Sequence, residues 1–168
     1  MRSSLTTKRE TAMLKKYSKG IVLEIGTYCG ASALTLAKKA DHVHTVDIYQ
    51  HTDPMGKKTK NINFDYEKVK EKIAGKNITA YQSDSCDPEL LKDYMFDVIF
   101  IDGDHKYPGV HRDFCRWYHQ LKKNGIMMFH DYDLPRHTGV VRQVNNAITE
   151  GLLKKVAQVD SLIVCRKA

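Results

Sequence analysis

The chain has 168 residues, 42% of them apolar and 28% charged, with a formal net charge of +7. That length suits one domain and buries roughly two-thirds of the unfolded surface, so neither a disulfide framework nor a structural metal is needed for a core. Cys29, Cys86, Cys115 and Cys165 form no C-x-x-C pair, no apolar run approaches the roughly 20 residues of a membrane span, and the start "MRSSLTTKRETAMLKKY" lacks a secretory apolar stretch, so a cytoplasmic protein with free thiols and no membrane partner is expected.

Residues 7–18 read as a helix, with Thr7 and Glu10 at capping-box spacing and Gly20 as a stop. "IVLEI" (21–25) is a short apolar run that predicts a buried strand, and the Ala- and Leu-rich "ASALTLAKKA" (31–40) predicts a helix. "HVHTVD" (42–47) is a strand ending in an acid, and 49–63, with Pro54 and Gly56, is a long polar loop. A helix over 64–75 and a strand over 78–83 follow, then a short helix around Glu89–Tyr94. "FDVIFID" (96–102) is a strand. Tyr107, Val110, Phe114, Trp117 and Leu121 then recur at helical spacing, with Pro108 in the first turn. Asn124–Gly125 turns the chain into a strand over 126–131, residues 139–150 form a helix, and "KKVAQVD" and "SLIVCRK" are two strands in close succession. Strands alternating with helices predict an α/β fold: a doubly wound, mostly parallel seven-stranded sheet with an antiparallel C-terminal hairpin, in one domain over 1–168.

In such a sheet, ligands bind beyond the carboxyl ends of the strands. The first strand runs into "EIGTYCG", with Glu24, Gly26, Thr27 and Gly30; the second ends at Asp47; the third at Ser83, Asp84 and Ser85. The fourth ends at Asp102, with Asp104 and His105 close behind, and the fifth at His130 and Asp131. One such acid is ordinary, since Asp caps the following helix. Asp102 and His105 both suit that role, and His130 equally suits a core histidine bonded to backbone. Acids beside all five ends predict one cleft. Gly26 and Gly30 let the first turn pass close to a ligand. They are not the G-x-G-x-x-G dinucleotide fingerprint, because Tyr28 and Ala31 fill two of its glycine positions. Asp47, about 20 residues past Gly26, is spaced to grip ribose hydroxyls. The pattern predicts an adenosine-type ligand without a pyrophosphate grip. His42, His44, His111, His119 and His137 read as surface or structural residues.

"VLEIGTYCGASALTLA" (22–37) resembles the first motif of class I S-adenosylmethionine-dependent methyltransferases, in the form of the catechol and caffeoyl-CoA O-methyltransferase group. "FDVIFIDGDHKYPGVHRDF" with "LKKNGIMMFHDY" resembles the O-methyltransferases of macrolide and aminocoumarin tailoring. The likeness covers roughly residues 20–150 and implies a Rossmann-like fold with S-adenosylmethionine as cofactor. It implies Glu24, Gly26, Thr27 and Gly30 along the methionine part, Asp47 on the ribose, Asp84 with Ser83 or Ser85 at the adenine, and Asp102 beside the cofactor. It also implies a divalent metal, Mg²⁺ or Mn²⁺, on Asp102 and Asp131, with His130 where that group usually has an acid. His105 matches the catalytic base of some macrolide enzymes and Asp104 that of an aminocoumarin enzyme.

The chemistry runs the same way. A sulfonium methyl is already activated, so the task is to supply an oxygen nucleophile. A divalent cation lowers the pKa of a bound hydroxyl, and a histidine titrates near working pH. His105 is favoured over Asp104, an exposed carboxylate being the weaker base by roughly two to three pKa units. A nitrogen ligand at 130 shifts preference from Mg²⁺ toward Mn²⁺, Fe²⁺ or Zn²⁺. The implied reaction is metal-assisted O-methylation of a small hydroxylated acceptor. The loop 49–63 reads as a mobile lid whose Lys57, Lys58 and Lys60 favour an anionic acceptor. Two other readings stand beside it. One is a metal-dependent hydrolase using D-G-D-H and H-D. The other is a non-catalytic or nucleic-acid-binding relative, which the positive charge permits and the lack of a basic stripe interleaved with aromatics disfavours. A homodimer completing the open cleft is compatible with all three.

Overall fold

The computed structural model describes residues 6–49, 65–133 and 136–168. In chain order the elements are α1 (Lys8–Tyr17), β1 (Ile21–Ile25), α2 (Ala31–Leu36), β2 (His42–Asp47), α3 (Tyr66–Ile73), β3 (Ile78–Gln82), β4 (Phe96–Ile101), α4 (Tyr107–Tyr118), β5 (Leu121–Phe129), α5 (Thr138–Thr149), β6 (Leu153–Val159) and β7 (Leu162–Lys167). They build one seven-stranded sheet in the order β3-β2-β1-β4-β5-β7-β6. β1 to β5 run parallel, and β7 pairs antiparallel with both β5 and β6. This is the Rossmann-like α/β architecture expected of the sequence.

The apolar runs of the parallel strands are buried on both faces, because helices cover both. Alternate side chains of β4 divide between two cores. Ile99 and Ile101 pack with Val110, Phe114 and Trp117 of α4 and with Val140 and Val144 of α5. Val98 and Phe100 pack with Leu14 of α1, Leu36 of α2 and Val69 of α3. β1 and β4 are neighbours although two strands lie between them in sequence, so connections leave this pair in opposite directions. The crevice opens there, beyond the carboxyl ends of the strands.

Three local expectations are corrected. The helix over 31–40 stops at Leu36 and continues as a turn. Residues 89–93 form turns, and Tyr94 follows without regular structure, in place of the expected helix. The Gln120 side-chain amide donates to the carbonyls of Leu91 and Tyr94, both at 2.7 Å, and Arg116 to that of Leu90, so the last turn of α4 and the residues just after it satisfy groups a helix would satisfy internally. Leu121 keeps helical spacing with Trp117 but begins β5, since the Phe96 N–H donates to the Gln120 carbonyl and Phe96 pairs with Leu121. β5 therefore runs through Asn124, whose φ of +59° accompanies an irregularity in the ladder, instead of starting after it. The proposed lid, apart from Tyr49, lies outside the described residues, as do Lys57, Lys58 and Lys60.

Candidate functional site at the carboxyl ends of the strands

The turn after β1 is built against the end of β4. Gly26 has φ +95°, and a Cβ there would stand 2.2 Å from the Asp102 carbonyl oxygen. The glycine is thus required by the contact between two strand ends, a demand the sequence pattern could not separate from close passage of a ligand. The Tyr28 and Tyr49 N–H groups donate to the two oxygens of Asp47, at 2.9 and 2.8 Å, fixing that carboxylate at the end of β2. Glu24 is fully buried beneath this turn. The Thr45 hydroxyl donates to its Oε2 at 2.5 Å and itself bonds the Thr27 hydroxyl, while Oε1 has no hydrogen-bond partner. Burial outweighs the lowering influence of the Ser32 and Thr45 hydroxyls and pushes the carboxyl up to about 8.

Beyond β3, the Ser85 hydroxyl donates to Asp113 at 2.5 Å, and Asp84 accepts the Cys86 N–H at 2.8 Å and pairs with Arg112 at 3.3 Å. Beyond β4, Asp104 folds back as a turn-forming side chain. It accepts the Lys106 N–H at 2.9 Å, and a Cβ on Gly109 would meet its Oδ2 at 2.2 Å. His105 does not cap the helix: its Nε2 lies 2.8 Å from Asp131 Oδ2.

Beyond β5 sits a connected group of acids and imidazoles. His130 is buried, with Nδ1 3.2 Å from Asp102 and 3.5 Å from Asp131, and Nε2 3.5 Å from Glu10. Glu10 also accepts the Thr7 N–H of its own capping box and both the N–H and hydroxyl of Ser161. Helix α1 and the β6–β7 turn thereby brace His130 from behind. Burial alone would depress His130, but hydrogen bonds to Asp102 and Asp131 raise it well above the ordinary imidazole value. Asp131 would rise through burial, yet His105 and His130 hold it well below the usual carboxylate range. The hydrogen bond to Asp131 also raises His105. Asp102 is raised by burial despite the hydrogen bond from His130.

Gly26, Thr27, Asp47, Ser83, Asp84, Ser85, Asp102, Asp104, His105, His130 and Asp131 all line one cleft of about 810 Å³, within the size range of small-molecule and cofactor sites. Glu24 and Gly30 do not line it: Glu24 lies under its floor, and Gly30, at φ +71°, is the left-handed N-cap of α2. Sequence reasoning missed Asp113, Tyr28 and Arg112, which also line the cleft. Asp113 carried a signal, an acid on the face of Val110, Phe114 and Trp117, where only apolar residues are expected. Glu10, one turn before the buried Leu14, carried the same one.

Asp102, His130 and Asp131 offer three ligand atoms within 4.8 Å of one another. With Glu10 against the far nitrogen of His130, the arrangement matches a metal-ligating imidazole held by an outer carboxylate. The set fits a divalent cation, and its mixed nitrogen and oxygen donors suit Mn²⁺, Fe²⁺ or Zn²⁺ better than Mg²⁺.

A family model described as a methyltransferase domain matches residues 23–132. An uncharacterized protein of Acanthamoeba polyphaga mimivirus is 30% identical over 131 residues, which is 75% of this chain and 58% of that protein, so the chain spans little more than half of that relative. Among solved structures, a candidate caffeoyl-CoA O-methyltransferase from Staphylococcus aureus superposes with a TM-score of 0.70 at 18% identity, over 98% of this chain and 86% of that one. An rRNA methylase from Streptococcus thermophilus gives 0.66 at 11% identity, over 98% of both chains. The N-methyltransferase NodS from Bradyrhizobium japonicum, in complex with S-adenosyl-L-homocysteine, gives 0.63 at 17% identity, over 95% of this chain and 86% of that one. At these identities the structural likeness is one of fold.

Proposed function

Because the chain belongs to the methyltransferase-domain family, we propose that it transfers the methyl group of S-adenosylmethionine to a hydroxyl oxygen of a small acceptor, with His105 as general base. Family membership sets aside the hydrolase alternative. One observation carries the reading: His105 stands at the lip of the cleft with Nε2 against Asp131 at 2.8 Å, whereas Asp104 is spent on the turn into α4. With Nε2–H donated to Asp131, the neutral imidazole keeps its lone pair on Nδ1. That nitrogen takes the acceptor's proton as the oxygen attacks. The new C–O bond forms as the S–CH₃ bond breaks, and its electron pair stays on sulfur as the neutral thioether. Asp131 stabilises the resulting imidazolium, as its raising of His105 indicates. In this reading Asp47 at the end of β2 would hold the ribose, and the Ser83–Ser85 turn would meet the adenine. Asp102, His130 and Asp131 would hold a divalent cation, which when bound lowers the pKa of an acceptor hydroxyl.

The test is methyl transfer from labelled S-adenosylmethionine to a panel of phenols and hydroxylated glycosides, with S-adenosylhomocysteine binding followed by calorimetry. His105→Ala should cut turnover by roughly 10²–10⁴-fold and leave S-adenosylhomocysteine affinity unchanged, while Asp104→Asn retains turnover. Label appearing on nitrogen, or only on added RNA, would overturn the assignment to a small hydroxylated acceptor.

A further inference from the structure

Next to the carboxylate-lined set lies a second convergence of ligand atoms that the sequence did not foreshadow. His105, Asp131 and His137 also present three donor atoms within 4.8 Å of one another. His137 is the N-cap of α5, yet its side chain makes no cap hydrogen bond. Instead its Nδ1 lies 2.7 Å from Asp133 and 3.5 Å from Asp131, and its ring centroid is 4.9 Å from that of His105.

This meeting is built into the backbone. A Cβ on Gly139 would stand 2.4 Å from both the His105 carbonyl oxygen and the Tyr107 nitrogen. Only glycine lets the first turn of α5 seat directly on the 105–107 segment, and that contact carries His137 to His105. Both rings are partly exposed, His105 by 46% and His137 by 26% of the side chain, so an ion could reach them without unpacking the core.

We propose that His105, Asp131 and His137 form a transition-metal site of their own, separate from Asp102 and His130 and sharing only Asp131 with them. Two imidazole nitrogens and one carboxylate oxygen select Zn²⁺, Co²⁺, Mn²⁺ or Fe²⁺ over Mg²⁺, and three protein ligands leave open positions. The ion would replace the proton that His105 Nε2 directs at Asp131. A neutral imidazole ligated through Nε2 carries its proton on Nδ1 and has no lone pair left. Occupancy would therefore silence the base. That consequence, unlike the binding, rests on the methyl-transfer reading above.

The experiment is titration of the full chain with Co²⁺, read by visible absorption and calorimetry, for the wild type, His137→Ala and Asp102→Asn. Expected is a binding event that His137→Ala weakens by about tenfold or more and that Asp102→Asn retains. No binding by the wild type, wild-type affinity in His137→Ala, or equal loss in both variants overturns the proposal. Zn²⁺-induced shifts of the His105 and His137 imidazole nitrogens, by NMR on the wild type, should accompany the event; shifts confined to His130 overturn it as well. S-adenosylhomocysteine binding without metal, measured on the same samples, tests the methyl-transfer reading separately.

Discussion

Replacing Glu24 by Gln should change how stability depends on pH. Glu24 has no exposed surface, and burial moves its carboxyl from an ordinary 4.5 to about 8. Between those values the unfolded chain has released a proton that the folded chain keeps. An acid raised on folding therefore costs stability as pH rises, by about 1.4 kcal/mol per unit while the difference is one full proton. From about pH 5.5 to 7.5 that amounts to roughly 3 kcal/mol, a large share of the roughly 5–15 kcal/mol that holds a domain folded. Glutamine has nearly the same shape, can still accept the Thr45 hydroxyl, and does not titrate. Urea denaturation at a series of pH values, for wild type and Glu24→Gln, isolates this contribution, because the other titrating groups are common to both. The difference in unfolding free energy should swing toward the variant as pH rises across that window. Parallel curves would refute the reasoning and place the Glu24 carboxyl near its ordinary value.

Gly26→Ala should destabilise the fold by roughly 2–4 kcal/mol, combining a positive-φ penalty with backbone displacement, because its Cβ would lie 2.2 Å from the Asp102 carbonyl oxygen; an unchanged melting temperature would refute this. Asp47→Ala should weaken S-adenosylhomocysteine binding by roughly 1.5–3 kcal/mol, the worth of hydrogen bonds to a charged group, as read by calorimetry. Asp47→Asn, which can still accept the Tyr28 N–H, should recover part of the loss if loop ordering contributes; equal affinity in all three proteins would remove Asp47 from the cofactor site.

Much of the site was legible because it follows from chain order. Strands read from apolar runs, alternating with helices, dictate a parallel sheet, and in such a sheet the residues following each strand share one edge. Asp47, Asp84, Asp102 and Asp131 could therefore be placed together without coordinates. The glycine turn and the D-G-D-H stretch were legible as resemblance, since motifs preserve residue types along the chain. Distances across the cleft are set elsewhere. Asp104 and His105 are adjacent in sequence and equal in pattern, yet Asp104 is drawn to a backbone N–H of its own turn and His105 to an acid just past the end of another strand. Glu24 looked like a ligand-facing acid because it precedes the glycine turn. The alternation of β1 puts it inside the sheet's packing layer, where burial keeps it neutral. Glu10 and His137 reach the site only because α1 packs against the β6–β7 turn and Gly139 seats α5 on the 105–107 backbone. Such contacts join residues far apart in sequence and leave no periodic trace. Local propensity and strand order thus determined which edge carries the chemistry, and tertiary packing decided which of its acids and imidazoles face one another.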